Sequence, residues 1–314
     1  MENARRDYRR LSTPGSRIRT CYNARTFTET GVKEFFRRTP RYFTSPAKEQ
    51  DQQIPEDLFR KCTGCGELIN TKEWEDSAKV CPKCGHHDRL GASERVQLLL
   101  DPGSWIEYDA ELAPGDPLGF ASPKSTYVDR VATLQAELGQ NDAAICGAGK
   151  IEDAPLALCV HDYAFLMGSM GSVVGEKIAR SAERAAEMQI PLVTVNASGG
   201  ARMHEGILSL MQMAKVSVAL ARLAEAGQPH ISIMADPCTG GVTASHASSA
   251  DVIIAEPGAE IGFAGRRVIE QTIRQKLPAN FQTAEFLLEH GMIDMVTPRA
   301  ELRTVIGRLL RLYA

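Results

Sequence analysis

Leu192-Val-Thr-Val-Asn-Ala-Ser-Gly-Gly-Ala-Arg-Met203 runs from a short β-type stretch into two glycines and then into a helical pattern. Residues 192–195 have the length and branching of a buried strand. Ile207, Leu210, Met211, Ala214, Val218 and Ala221 follow at i, i+3, i+4 spacing, which predicts a helix over 203–226 that stops at Gly227. Outward from this stretch the same pattern recurs. Residues 161–163 lead to Gly168-Ser-Met-Gly171, Asp236-Pro237 leads to Thr239-Gly-Gly-Val242, and Glu260-Ile261 leads to Gly262-Phe-Ala-Gly265. Further β-type runs lie at 144–147, 156–161, 231–234 and 252–254, and residues 172–188 place Val173, Val174, Ile178, Ala182 and Ala185 on one helical face. Short strands alternating with helices predict an α/β or spiral ββα architecture with the helices outside.

Paired glycines between a strand and a helix allow a tight turn and let a ligand approach bare backbone N–H groups. Such donors stabilise phosphates or oxyanions. None of these turns has the spacing of a nucleotide-binding P-loop, and the chain has neither a Gly-x-Ser-x-Gly nor a His-Glu-x-x-His motif. Ser198 is expected to cap the following helix, Glu205 to sit in its first turn, and His161 and His246 to pack or hydrogen-bond. Backbone donors without a side-chain base suit an enzyme that stabilises an enolate while substrate or cofactor moves the proton.

Upstream, Cys62-Thr-Gly-Cys65 and Cys81-Pro-Lys-Cys84 are separated by fifteen residues. That spacing matches a zinc ribbon, in which four thiolates close a tetrahedron round one structural Zn²⁺. Gly66 and Gly85 follow the two pairs, where tight turns can aim N–H groups at the sulfurs. Cys21, Cys146, Cys159 and Cys238 show no framework spacing, which fits a reducing, cytoplasmic setting.

The chain of 314 residues carries a net charge of −3, unevenly spread. Residues 1–50 hold twelve Lys or Arg against five Asp or Glu, +7, so the remainder is −10. A basic tail can touch nucleic acid, an anionic surface or an organelle import system, or be a solvated extension. Residues 56–95 hold seven basic and eight acidic side chains, a poor balance for phosphate binding. Nucleic acid is therefore not expected as the main partner, and no run of about 18 apolar residues predicts a membrane span. A connecting helix is expected at 92–100, stopped by Asp101-Pro-Gly103, and irregular covering structure at 104–142. Helices are expected at 267–277 and 281–290, then a last one with Thr297 as N-cap and Pro298 in its first turn, ending at Leu312.

Residues 165–175, Ser198-Gly-Gly-Ala-Arg-Met203, Leu208-Ser-Leu-Met-Gln-Met-Ala-Lys215 and Ile261-Gly-Phe-Ala-Gly265 with Arg267-Val-Ile-Glu-Gln-Thr272 closely resemble the carboxyltransferase beta-subunit family of bacterial-type acetyl-CoA carboxylases. The cysteine ribbon resembles that family's N-terminal zinc domain. The likeness runs from about residue 32 to the end. Composition predicts a basic, disordered extension at 1–53; the resemblance implies a ribbon at 54–95 and a crotonase-like (ClpP/crotonase) spiral ββα domain at 96–314. It also implies an alpha subunit of similar fold in an α2β2 assembly, within a complex that includes biotin carboxylase and biotin carboxyl carrier protein. The reaction so implied moves a carboxyl group from carboxybiotin, supplied in trans on the carrier, to acetyl-CoA. The product is malonyl-CoA, at the first committed step of fatty acid synthesis.

By the same resemblance Gly199 and Gly200 bind the thioester oxygen as the enolate forms. Gly240 and Gly241 begin a helix on the interface side of the site, and Gly168 to Gly171 lie near the CoA thioester. The chain departs from the family pattern at Met167, where a glycine is expected, at Cys238, and at Arg266 in place of proline; Met167 bears on which acyl group is accepted. Two alternatives remain open: transfer to another short acyl-CoA, and a crotonase-type hydratase or isomerase. The latter needs paired carboxylates, for which Glu176, Glu205 and Glu260 are poor candidates.

Overall fold

A computed structural model describes residues 58–313, the side chain of Arg267 excepted; the expectations for residues 1–53 lie outside them. At the start, β1 (Phe59–Lys61) pairs antiparallel with β2 (Leu68–Asn70), with Arg60 opposite Ile69. The hairpin leads into α1 (Thr71–Asp76), whose N-cap Asn70 accepts the N–H groups of Lys72 and Glu73. Among the described residues, Cys62, Ile69, Trp74 and Cys81 form its apolar cluster, with the Arg60 guanidinium 3.3 Å above the Trp74 ring. So small a core needs a metal or an equivalent staple.

From residue 92 onward the chain builds one eight-stranded sheet, with helices on both faces. Its strands are β3 (Ile106–Tyr108), β4 (Ala144–Ile151), β5 (Ala154–His161), β6 (Leu192–Ser198), β7 (His230–Thr239), β8 (Val252–Ala255), β9 (Ile261–Gly262) and β10 (Met295–Val296). The order is β10-β8-β7-β6-β5-β4-β3, with β9 also paired to β7. From β5 to β10 all pairings are parallel; β3, β4 and β5 are antiparallel.

Alternation within the strands sorts side chains to two cores. Ala157 and Cys159 of β5 face one, with α4 (Ser172–Met188) and α5 (Ile207–Glu225). Leu156, Leu158 and Val160 face the other, with α2 (Ala92–Leu99) and α9 (Arg299–Leu312). Because both faces are covered, these strands read as apolar runs rather than as alternating ones. At the carboxyl end of β7 the chain turns into the short α6 (Gly240–Val242).

Several expected boundaries shift. Residues 104–142 hold β3 and a full helix, α3 (Tyr127–Leu138), capped by the Thr126 hydroxyl and closed by Gly139 at φ 67°. The helix foreseen at 203–226 is broken. A single 3-10 turn at Met203–Glu205 is followed by Gly206 at φ 54°, ψ −127°, and α5 starts only at Ile207. The later helices are shorter than expected: α7 is Arg266–Ile273, ended by Arg274 in a left-handed conformation, and α8 is Ala284–Glu289 with Thr283 as N-cap.

Thr297 does not cap α9, because Pro298 takes the cap position. The missing side-chain acceptor is supplied by His87, whose Nε2 receives the Arg299 N–H at 3.1 Å. Among the described residues, ribbon and sheet belong to one compact unit. They are joined by a buried triad in which Glu256 accepts two bonds from Arg95 (2.6 and 2.9 Å) and two from Arg299 (both 2.8 Å). Arg299 also donates to the Ala78 carbonyl at 2.6 Å. Burial raises the Glu256 pKa, but the two guanidiniums outweigh it and hold the carboxyl well below the usual range.

Candidate active site and metal centre

The sulfurs of Cys62, Cys65, Cys81 and Cys84 lie within 4.8 Å of one another, with Cys62–Cys84 at 3.8 Å and Cys65–Cys81 at 4.0 Å. A tetrahedron with Zn–S bonds of about 2.3 Å has edges of about 3.8 Å, so the donor set fits one zinc ion. Gly66 and Gly85, at φ 76° and 72°, turn the two knuckles. Their N–H groups go to the carbonyls of Cys62 and Cys81, while the N–H aimed at sulfur comes from Gly64, 3.3 Å from Cys62 Sγ. The neighbouring Cys65 N–H lowers the Cys62 thiol to about 7, while Cys84, despite the His86 N–H, is pushed up to about 12 by burial and the other three sulfurs. Four protein ligands leave no open position, which makes the ion structural.

The glycine turns meet at the carboxyl ends of β5, β6 and β7. Gly199 donates to the Met167 carbonyl at 2.8 Å, and Met170 donates to the Gly200 carbonyl at 2.8 Å. Gly200 and Gly240 touch back to back: a Cβ on Gly200 would lie 3.1 Å from Gly240 Cα, and φ is 110° and 64° at the two positions. No side chain fits between those turns. Gly241 follows in α6, where its carbonyl accepts the Ser245 hydroxyl at 2.6 Å. Gly171 is the N-cap residue of α4. Gly168 is packed so closely on β6 that a Cβ would lie 2.0 Å from the Ala197 carbonyl oxygen. Thus Gly168, Gly171, Gly199, Gly200, Gly240 and Gly241, up to 73 residues apart in sequence, form one cluster.

Of the two glycines expected to bind an oxyanion, Gly199 has its N–H committed to Met167. The Gly200 N–H rests on the Ser198 hydroxyl at 3.0 Å. Ser198 therefore does not cap a helix; α5 begins nine residues later, after Gly206. Ser198 and Gly200 are both buried, so a ligand reaches this N–H only if the Ser198 hydroxyl turns away.

Leu166, Met167 and Gly168 sit consecutively at φ 46°, 59° and 63°. For each of the two residues with a Cβ this costs on the order of 1 kcal/mol, and the turn is held by Gly168 N–H to Phe165 O at 2.9 Å.

Beneath the turns lies a buried polar network that the sequence did not reveal. Arg202, fully enclosed, grips Asp142 with two nitrogens at 2.5 and 3.0 Å and reaches the Ser169 carbonyl at 2.7 Å and the Tyr127 hydroxyl at 3.2 Å. Glu205 accepts the Tyr127 hydroxyl at 2.8 Å and the Ser172 N–H at 2.6 Å. Glu205 thus serves the first turn of α4 rather than its own helix. Burial disfavours charge on Arg202, yet the Asp142 carboxylate reverses this and raises its pKa. Burial raises that of Tyr127. Asp142 lies 60 residues upstream of Arg202, so no local spacing could have signalled the pair.

His161 and His246 are buried hydrogen-bonding residues, on Gly168 O and Asn196 Oδ1, each at 3.0 Å. Burial lowers His161 to about 4 and puts His246 well below its ordinary value. Glu176 is tied to Arg180 and Lys215 at the surface, and Glu260 faces the Arg266 N–H. With Glu205 bound in the network, these three carboxylates form no acid–base pair.

A carboxyl transferase domain model matches residues 86–295, and an acetyl-CoA carboxylase zinc finger model matches residues 59–84. The acetyl-CoA carboxylase carboxyl transferase subunit beta of Herpetosiphon aurantiacus is 59% identical over 282 residues, covering 90% of this chain and 94% of the relative. That of Chloroflexus aurantiacus is 58% identical, covering 90% and 92%. Among solved structures, transcarboxylase 12S with hydrolysed methylmalonyl-CoA bound superposes with a TM-score of 0.61 at 26% identity, over 76% of this chain and 42% of that one. The Pseudomonas malonate decarboxylase MdcD–MdcE heterodimer gives 0.56 at 25% identity, over 71% and 86%. With a crotonase-like sheet, converging glycine turns and a four-cysteine ribbon, the chain belongs to the family of acetyl-CoA carboxylase carboxyl transferase beta subunits.

Proposed function

We propose that this chain supplies the acyl-CoA half of the carboxyl-transfer site, and that the observation carrying this reading is the Gly199–Gly200 turn seated against Gly240. The acceptor is acetyl-CoA and the product malonyl-CoA. The Gly200 N–H, released by rotation of the Ser198 hydroxyl, donates to the thioester oxygen as negative charge builds there. Gly199, bonded to Met167, holds the turn rigid. Such a preorganised donor is worth about 3 kcal/mol in a site shielded from water. Gly168 and Gly171 shape the loop beside the thioester, and Gly240 and Gly241 the wall toward the partner. Carboxybiotin on the carrier protein supplies the carboxyl group, and biotin accepts the methyl proton. That assignment agrees with the buried His161 and His246, whose pKa values are lowered, and with Glu176, Glu205 and Glu260, which form no acid–base pair.

An alpha subunit in an α2β2 assembly completes the site. The outer face of α5 supports this: Ile207, Leu210, Met211 and Val218 are exposed, while Ser209 and Gln212 are buried on its inner face. Met203 and Phe263 extend the exposed apolar surface. Although α5 is long and apolar enough to cross a membrane by length and composition, it packs on α4, and Lys215 and Arg222 tie it to Glu176 and Glu183. An unpartnered apolar helix face of this kind suits a protein subunit. We place the complex in the cytoplasm, where free thiols and thiolate-bound zinc persist.

Carboxyl transfer from malonyl-CoA to biocytin, measured with and without the alpha subunit, tests the reading. Activity only in the pair is expected, together with a drop of 100-fold or more in Gly200→Ala. Full activity of the chain alone, or hydration of crotonyl-CoA by it, would overturn the assignment.

A further inference from the structure

Resting on that reading, we propose that the Met167 side chain sets acyl-chain size, by forming a wall over the Gly199–Gly200 turn that admits a two-carbon acyl group and resists longer ones. Of residues 165–171 Met167 alone is exposed, at 56%. Its neighbours Phe165, Leu166 and Met170 are buried in the core. The side chain therefore contributes little to core packing.

Its position is fixed from two directions. The Met167 carbonyl accepts the Gly199 N–H at 2.8 Å. Its Cε and Cβ lie 3.1 and 3.5 Å from where a Cβ of Gly199 would stand. The thioether thus lies along the bare face of Gly199, one residue from the proposed oxyanion donor. An acyl chain whose carbonyl oxygen reaches the Gly200 N–H passes this side chain.

The backbone gives no reason for a methionine here. At φ 59°, ψ 30° glycine is the residue of least cost, as Gly168 beside it shows at φ 63°. A strained residue at a site, with its side chain turned outward, points to use of that side chain. An unbranched, polarizable thioether makes an adaptable apolar wall. An extra methylene against such a wall is discriminated by roughly 10- to 200-fold.

The test uses the complete complex, with alpha subunit and carboxylated carrier, and compares kcat/KM for acetyl-CoA and propionyl-CoA. Wild type, Met167→Leu, Met167→Ala and Met167→Gly form the series. Wild type is expected to prefer acetyl-CoA and Met167→Leu, of similar volume, to keep that ratio. Met167→Ala and Met167→Gly should both raise the propionyl-to-acetyl ratio by about tenfold or more. Alanine retains the backbone strain while removing bulk. A shift confined to Met167→Gly would therefore assign the effect to backbone relief and overturn the proposal. An unchanged ratio throughout, with acetyl-CoA still carboxylated, would overturn it while leaving the carboxyltransferase reading intact. A wild-type complex silent toward both acyl-CoAs would instead remove that reading, and this inference with it.

Discussion

The Nε2 of His87 accepts the backbone N–H of Arg299 at 3.1 Å, so a residue at the foot of the zinc ribbon caps the last helix of the sheet domain. Its Nδ1 lies 2.9 Å from the Gly85 carbonyl, which assigns the proton to Nδ1 and leaves Nε2 an acceptor. Burial lowers the His87 pKa and favours that neutral form. His87→Ala should destabilise the chain by about 1 kcal/mol, the usual worth of a helix cap. The urea midpoint measures this, and an unchanged midpoint would show that solvent caps α9 equally well.

Removing one zinc ligand tests how far that junction reaches. Cys62→Ser should lose its zinc and become protease-sensitive within residues 59–90. The Gly200–Gly240 contact, held by the sheet, should survive. Metal content by emission spectroscopy, read beside limited proteolysis, decides the matter. Full zinc occupancy in the variant would refute the assigned donor set.

Arg202 ties the turn at 198–202 to Asp142, Ser169 and Tyr127. Arg202→Ala leaves Asp142 a buried, unpaired carboxylate, at a cost of about 3–5 kcal/mol. Tyr127→Phe removes one donor to Glu205 and should cost about 1–3 kcal/mol. Because the network supports the turn at 198–202, both variants should lose carboxyl transfer faster than they lose acyl-CoA binding. Equal losses of the two in Tyr127→Phe would argue that the network only stabilises the fold.

Acid should unfold the protein through its buried histidines. Burial holds His161 and His230 to about 4, against about 6.5 when unfolded. Between those values the unfolded chain binds more protons than the folded one, so stability rises with pH. The contribution is complete above about pH 6.5 and is lost as pH falls toward 4, on the order of 3 kcal/mol for each histidine. Glu256, whose pKa is lowered, acts in the same direction further into acid. Urea midpoints at constant ionic strength from pH 7.5 to 4.5 should fall steadily below 6.5. A flat profile down to pH 5 would mean that the histidines are solvated.

The Gly-Gly turns at 199–200 and 240–241 were legible because their requirement is local: a sharp turn at a strand end needs residues without a Cβ. Cys62, Cys65, Cys81 and Cys84 were legible for a similar reason, since two knuckles must close on one ion. The strands β5, β6, β7 and β8 showed as apolar runs because helices cover both faces of the sheet. The helix α3 was hidden in a segment rich in Gly, Pro and charge, since only Tyr127 and Val131 of its residues are buried and its apolar stripe is narrow. The break at Gly206 was masked by apolar spacing that continues across it; the outward-facing Ile207 and Met211 belong to an exposed face, not to the core.

The sequence by itself determined the four-cysteine metal site, the central strands with α4 between them, and the glycine turns at the strand ends, because each follows from spacing within a few residues. Only the tertiary structure decided that Gly200 rests on Gly240, that Gly199 is spent on Met167, that Asp142 neutralises Arg202, and that His87 caps α9. Those pairs lie between 32 and 212 residues apart. They are set by which strand ends the parallel sheet brings side by side and by the need of every buried N–H and charge for a partner.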